Sequence, residues 1–413
     1  MDLTYAPIEG KSRGYRTLVA VLGIMVAVLL AAFLVVYLRG QQVWGISNAI
    51  PWGQLITLDI FFIGLSAGAI VVSGLSYVLG REEYKPIGRI AVFMGLLIFM
   101  GAMVSVLVDL GRPEKFWRLF GYFYSNNMTS MFALNSIWYG GYALLMMVYL
   151  WLAIENKKRL AMIIGTIDVL WAVGVHSFTG AIFGLIGSRE ILFSPIKPFE
   201  FITAALTSGT ALLILVVLVT FKFSNRYLDR KLILSLGRLL SVIIVVLLVM
   251  VFFDKLTHMY FPAREGALFL FTGPYWWLFW VLQIGMGIVL PLIILFHPRA
   301  GKSVKGIAFA AVSVVIGVLG ERAAITIPGT AEPQALYPGT IEGVWGAAGI
   351  FHITFWETTL TLGIISLVML LFVLGLKHLE LLPAKSAEEP QLAEDATAPA
   401  VVQPGELPQG KTE

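Results

Sequence analysis

Asp59, Asp109, Asp168 and His176 interrupt some of the most apolar stretches of the sequence. Carboxylates and an imidazole in such surroundings are suited to proton transfer, because histidine titrates near pH 6.5 and a sequestered carboxyl group can hold or pass a proton. A second set follows further along the chain: Glu200, Asp254, His258, Glu321, Arg322 and Glu357. Asp254 and His258 stand at i and i+4, one face of a helix, a spacing that suits a hydrogen-bonded acid–base pair. The competing reading for groups near helix ends, such as Asp109, Glu200, His258 and His352, is a cap or a loop network. For Asp59, Asp168, His176, Glu321 and Glu357 the competitor is internal ion pairing, and Glu321 and Arg322 can neutralise each other or Asp109.

No cysteine occurs in the 413 residues. A cysteine-ligated iron–sulfur cluster, a thioether-attached haem, a thiolate zinc site and a disulfide are therefore all excluded for this chain, and no other metal site is expected. Any such electron carrier has to sit on a partner.

The elements that must position these groups follow from composition. Apolar residues make up 58% and charged residues 13% of the chain, and the mean hydropathy is +0.85, outside the range of a soluble domain. A helix needs ~20 apolar residues to span the hydrocarbon of a bilayer. Ten stretches qualify: 16–38, 54–80, 87–109, 131–153, 160–186, 199–221, 232–258, 272–296, 303–325 and 350–376. The expected fold is an all-α polytopic membrane protein with ten transmembrane helices. The first span exceeds the apolar core of a signal peptide, and "YLRGQQVWG" after it offers no small-residue cleavage motif, so it reads as a retained helix.

Lys and Arg counts orient the bundle, because cytoplasmic loops carry the excess of cations. The amino terminus, the loops after spans 2, 4, 6 and 8, and the carboxyl terminus hold 19 of the 29, which predicts both termini on the cytoplasmic side of the cell membrane. No basic stripe lies outside these loops, and nucleic-acid binding is not expected. From 383 to 413 the sequence fills with Pro, Ala, Glu and Gln, a composition that predicts a disordered tail.

A duplication is legible. "DIFFIGLSAGA" from Asp59 and "EFITAALTSGTA" from Glu200 align at an offset of 141, which places Asp59 on Glu200, Leu65 on Leu206 and Gly68 on Gly209. Two parallel-repeat four-helix bundles are expected, 54–198 and 199–325, with 1–53 and 326–382 contributing one extra helix each. Gly64-x-x-x-Gly68 lets a neighbouring helix, or a flat ring, approach the backbone of span 2 closely. "DLGRP" ends span 3 at a glycine followed by a proline, and Arg112 stands one turn from Asp109, near enough to pair with it.

With the helices oriented, the acids and histidines gather in the outer half, apart from Asp168 near the middle of span 5. The inner half carries Arg89, Arg238 and Lys305, which can snorkel to the interface. An ionisable group near the bilayer centre costs ~2.5–3.5 kcal/mol on insertion scales, so each buried one needs a partner or a function.

"FFIGLSAGA" (61–69), "LVDLGRP" (107–113), "SMFALNSIWYGGY" (130–142) and "HSFTGAIFG" (176–184) resemble the polysulfide reductase membrane-subunit, or NrfD-like, family. Ten spans and "GERAAITIPG" look most like its variant in sulfite-reduction-associated (Dsr-type) electron-transfer complexes. The resemblance implies a non-autonomous, quinone-reactive subunit of a respiratory oxidoreductase complex in sulfur metabolism, with menaquinone as the quinone. It implies an iron–sulfur, ferredoxin-like partner on the outer face and further subunits in the bilayer. It also implies a quinone site in the first bundle, bordered by Asp59 with Gly64 and Gly68, by Asp109 with Arg112, and by His176, where some relatives carry a tyrosine. Asp168, Asp254, His258, Glu321, Arg322 and Glu357 then remain for proton movement. Two alternatives stay open: a haem b subunit using His176, His258 or His352 as axial ligands, and a proton-translocating transporter.

Overall fold

The computed structural model describes residues 3–46, 50–118, 129–260, 264–332 and 351–384. Ten helices are long and apolar enough to cross a membrane. They are α1 (Arg13–Arg39), α2 (Gln54–Tyr77), α3 (Lys85–Asp109), α4 (Met131–Ile154), α5 (Lys158–Gly184), α6 (Lys197–Phe223), α7 (Arg230–Tyr260), a π-helical stretch Leu278–Val289 running into α9 (Leu290–Phe296), α10 (Val304–Ala331) and α11 (Phe355–His378); the short α8 (Glu265–Thr272) precedes the eighth span.

Local chemistry sets several of the ends. Ser12, Ser130 and Thr354 each accept a backbone N–H of the first turn of α1, α4 and α11, satisfying donors that a helix start leaves open. Gly111, at φ +67°, turns the chain out of α3, a conformation that side chains with a Cβ resist. Two boundaries differ from the sequence reading. The eighth span begins at 278 rather than 272, because Gly273 closes α8. The ninth continues to Ala331 with Pro328 inside it, since its last turns are buried against neighbours instead of ending at an interface.

The most enclosed helix is α2, 89% of whose apolar window is buried against 22% for α1. It packs on α3, α5, α6, α10 and α11, while α4 pairs with α5, α6 with α7, and α10 with the π-helical stretch; α1 lies on α11 at the periphery. The crossing of α2 and α6 is made by glycines. A Cβ on Gly68 would meet the Gly209 Cα at 2.6 Å, and Gly64 faces Ala205 and Ser208 at 3.6–3.7 Å. This face of α2 is therefore filled by another helix, and the quinone-ring reading of Gly64 and Gly68 gives way to close helix packing.

Both ends of the described chain meet on one face. Tyr5–Ala6 (β1) pairs antiparallel with Leu382–Pro383 (β2), and Arg226 donates to the carbonyls of Ala6, Pro7 and Pro383. Arg89, 1% exposed, lies 3.8 Å over the Tyr5 ring and donates to the Glu380 carbonyl and the Asn156 side chain. It is locked into this clasp rather than snorkelling. The ordered chain thus passes the expected boundary at 383, and the remainder of the predicted tail, 385–413, lies outside the described residues. Below, this side is the termini face and its opposite the distal face.

Candidate functional site

Three helices of the first bundle turn polar stripes toward one another. On α2, Asp59, Ser66, Ser73 and Tyr77 recur at helical spacing; on α5, Asp168, His176 and Thr179; on α4, Asn135, Tyr139, Tyr142 and Tyr149. Steps of three, four, seven or eight residues put side chains on one helix face.

Near the distal face the stripes meet in a group of buried, incompletely paired atoms. Asp59 is 5% exposed and its Oδ1 has no hydrogen-bond partner. His176 bonds through Nδ1 to the Ala172 carbonyl at 2.9 Å; a carbonyl only accepts, so Nδ1 carries the proton and Nε2 is left as a bare acceptor. That Nε2 is buried and completes no hydrogen bond of good geometry, although the His176 ring lies within hydrogen-bonding reach of the Ile63 backbone, one turn from Asp59. Asn135 Nδ2 and the Tyr139 hydroxyl both donate to Thr179 Oγ1, at 3.1 and 3.0 Å, because that hydroxyl already donates to the Val175 carbonyl. Asn135 Oδ1 stays unpartnered, and Tyr139 is within electrostatic reach of Asp59.

The stripes continue toward the termini face. Ser66 pairs with the Tyr142 hydroxyl at 3.3 Å and Ser73 with that of Tyr149 at 3.0 Å. Asp168, fully buried with both oxygens unpartnered, interacts electrostatically with both tyrosines. Sequence reasoning did not single out Asn135, Tyr139, Tyr142, Tyr149 or Thr179. The signal was the spacing of the first four, in steps of four, three and seven residues; Tyr142 and Tyr149 are fully buried.

Other expected groups go elsewhere. Asp109 lies near Asp59 and Glu357 and its carbonyl accepts from the Gln41 side chain, but no ion pair joins it to Arg112 among the described residues. The turn at Gly111 carries Arg112 to an exposed position, correcting the expected pairing. Glu357 Oε1 accepts the Gln54 N–H at 2.5 Å and so caps α2 from across the bundle.

The second bundle holds an ionic cluster. Lys197, expected in a loop, is 2% exposed and bridges Glu200 at 2.7 Å and Asp254 at 3.0 Å; Lys255 adds a contact to Asp254 at 2.8 Å. The acid–base pair expected between Asp254 and His258 does not form. The carboxylate is taken by the two lysines and stands 3.9 Å from His258 Nδ1, which bonds the Asp254 carbonyl at 2.7 Å instead. Beside the lysines, Glu200 and Gln283 line a cavity with room for about one water molecule. Glu321 and Arg322 form a pair at 3.4 Å; neither neutralises Asp109. Among the described residues no group of three or more His, Asp or Glu side chains is arranged to hold a metal ion.

The class these features define is a polytopic helical membrane protein with a buried cluster of titratable side chains under its distal face. A family model described as "Polysulphide reductase, NrfD" matches residues 42–334, and the protein belongs to that family. It is similar to the Hdr-like menaquinol oxidoreductase integral membrane subunit of Archaeoglobus fulgidus, 34% identical over 397 residues that cover 94% of this chain and 99% of that protein. It is also similar to the menaquinone reductase integral membrane subunit of Nitratidesulfovibrio vulgaris, at 27% with 75% and 81% covered. With the C subunit of polysulfide reductase from Wolinella succinogenes the figures are 25%, 68% and 96%.

Proposed function

We propose that this chain is the quinone-reactive integral membrane subunit of a respiratory oxidoreductase complex, exchanging electrons between the membrane quinone pool and an iron–sulfur partner docked on the distal face. The observation that carries the reading is the group of buried polar atoms without partners, Asp59 Oδ1, His176 Nε2 and Asn135 Oδ1. Unmet buried polar atoms are costly, and a protonated hydroquinone oxygen is a donor that all three can accept from, so the residues fit the group. The names of the Archaeoglobus and Nitratidesulfovibrio relatives favour menaquinone within that class.

A bound quinone supplies two-electron, two-proton redox chemistry. His176 holds its Nε2 lone pair toward the pocket and takes or returns one proton there. Asp59 serves the second, and Asn135, Tyr139 and Thr179 fix the wall opposite. Asp109, on the distal rim, lies where the partner docks, with exposed Arg112 beside it. Asp168 stands two turns, about 12 Å, from His176 along α5, and with Tyr142 and Tyr149 it extends a proton route from the pocket toward the termini face. The second bundle, with Asp254, His258 and Glu321, provides charge balance around this route together with Glu357 of α11, the cap of α2. In this reading the termini face is cytoplasmic and the membrane is the cell membrane.

His176→Phe tests the assignment in the assembled complex. Quinone-dependent electron transfer is expected to vanish while the subunits still co-purify; normal turnover would overturn it. An optical spectrum of the same preparation checks the haem alternative, for which a Soret band assigned to this subunit would be decisive.

A further inference from the structure

Glu321 and Arg322 are neighbours on α10 whose side chains approach each other to 3.4 Å and then reach different surroundings. Glu321 lies within electrostatic reach of Glu200, Lys197 and Lys255, the cluster of the second bundle. Arg322 lies 4.0 Å over the ring of Phe201, which stacks at 5.7 Å on Phe183. Phe183 is seven residues from His176, two turns along the same face of α5. One turn toward the distal face from Arg322, Thr326 bonds Thr57 of α2 at 2.5 Å, so α10 is seated against the first bundle at this level. Arg322 is also the cation that acts on His176.

This guanidinium is fully buried and poorly satisfied. It carries five N–H donors, yet among the described residues its one hydrogen bond is a long contact of Nη2 with the Phe201 carbonyl, at 3.5 Å. Nε and Nη1 have no hydrogen-bond partner; the 3.4 Å approach of Nη1 to Glu321 is an ion pair without hydrogen-bond geometry. In the second bundle, by contrast, Lys197 donates to two carboxylates, Glu200 and Asp254. A desolvated arginine with two nitrogens left open is a ready binder of a polar oxygen.

We propose that the redox pocket is composite, and that Arg322, delivered by the second bundle, is the fixed cation that binds a quinone carbonyl oxygen beside His176 and holds the negative charge that builds there as electrons arrive. This rests on the quinone reading above. The two side chains divide the work: His176 Nε2 accepts and returns the proton, while Arg322 donates hydrogen bonds and keeps its own proton throughout. Glu321 balances the cation from the side away from the pocket.

The test compares two probes on the intact, membrane-extracted complex by calorimetric titration: menadione, which has the quinone oxygens, and methylnaphthalene, which has the ring system without them. Arg322→Gln is expected to weaken menadione binding about 10- to 100-fold, the range for a lost charge-assisted hydrogen bond, and to change methylnaphthalene binding less than about twofold. Arg322→Lys, which keeps the charge and loses the fork, should fall between wild type and Arg322→Gln for menadione. Unchanged menadione affinity in Arg322→Gln overturns the inference, and so does an equal loss for both probes, which marks a packing role. Should Arg322→Gln fail to assemble, Arg322→Lys is decisive alone: a selective loss for menadione supports the inference and wild-type affinity overturns it. His176→Phe, titrated in parallel, separates the two levels. Menadione sensitivity to His176→Phe with none to Arg322→Gln sinks the composite pocket alone, whereas indifference to both sinks the quinone site itself.

Discussion

Lys197→Met removes the cation that joins two buried acids. The three side chains, Lys197, Glu200 and Asp254, are 2%, 1% and 0% exposed, so solvent cannot take over the pairing. Breaking one partner out of a buried ion pair costs ~3–5 kcal/mol, most of it the penalty of the charge left behind. That penalty is unevenly shared. Asp254 retains Lys255 at 2.8 Å, while Glu200, whose ion-pair contact at 2.7 Å is with Lys197, has no second cation in contact among the described residues. Most of the loss should therefore come from Glu200, and Lys197→Met combined with Glu200→Gln should recover all but about 1 kcal/mol, the scale of a lost hydrogen bond. Adding Asp254→Asn to Lys197→Met should recover little, since it strands Lys255. Unfolding midpoints of the purified subunit in mild detergent, together with yields from membranes, measure this series. A Lys197→Met variant with the wild-type midpoint would refute the reasoning, as would equal destabilisation with and without Glu200→Gln, because Lys197 would then act through packing and not through charge.

Gly68→Ala places a methyl group 2.4 Å from the Ala205 carbonyl oxygen and 2.6 Å from the Gly209 Cα, where ordinary contact begins at 3.4 Å, so α2 and α6 must separate by about 1.0 Å; a loss of ~1–3 kcal/mol is expected, and adding Gly209→Ala should cost less than it does alone because both open the same gap. Asp168→Asn should leave menadione affinity within about twofold of wild type while slowing turnover, measured by pairing calorimetry with the electron-transfer assay. Outside the spans, burial lifts the Glu332 carboxyl above its usual 4.5, against the pull of the Ile191 amide. Ionisation is then harder in the folded chain than in the unfolded one, so stability declines as pH rises from about 4.5 toward the raised value. Glu332→Gln should flatten that decline, seen as a pH-independent unfolding midpoint over the same range.

Much of the architecture was legible in one dimension. Runs of some twenty apolar residues can only be membrane helices, and ten such runs, an even number, return the chain to its starting face, where Tyr5–Ala6 and Leu382–Pro383 pair. The crowding of Asp59, Asp109, His176 and Glu321 toward one face also follows from their distance to the helix ends. Asn135, Tyr139 and Tyr142 did not stand out because a polar or aromatic side chain at a span's entry has an equally good explanation as an interfacial anchor, and nothing local separates the two.

What the tertiary structure alone decided is which side chains meet. In a soluble helix the apolar stripe marks the inward face, but a membrane helix is apolar all round, since lipid and core are alike to leucine. Rotation about each helix axis is therefore silent in the pattern. Only the packed bundle turns Gly68 against Gly209, gives Lys197 to Glu200 and Asp254 instead of leaving it in a loop, withholds Asp254 from His258, and lays Arg322 over the Phe201 ring. The chain's elements and their polarity are properties of segments of about twenty residues. The partners of its buried charges belong to helix crossings between residues far apart in the sequence.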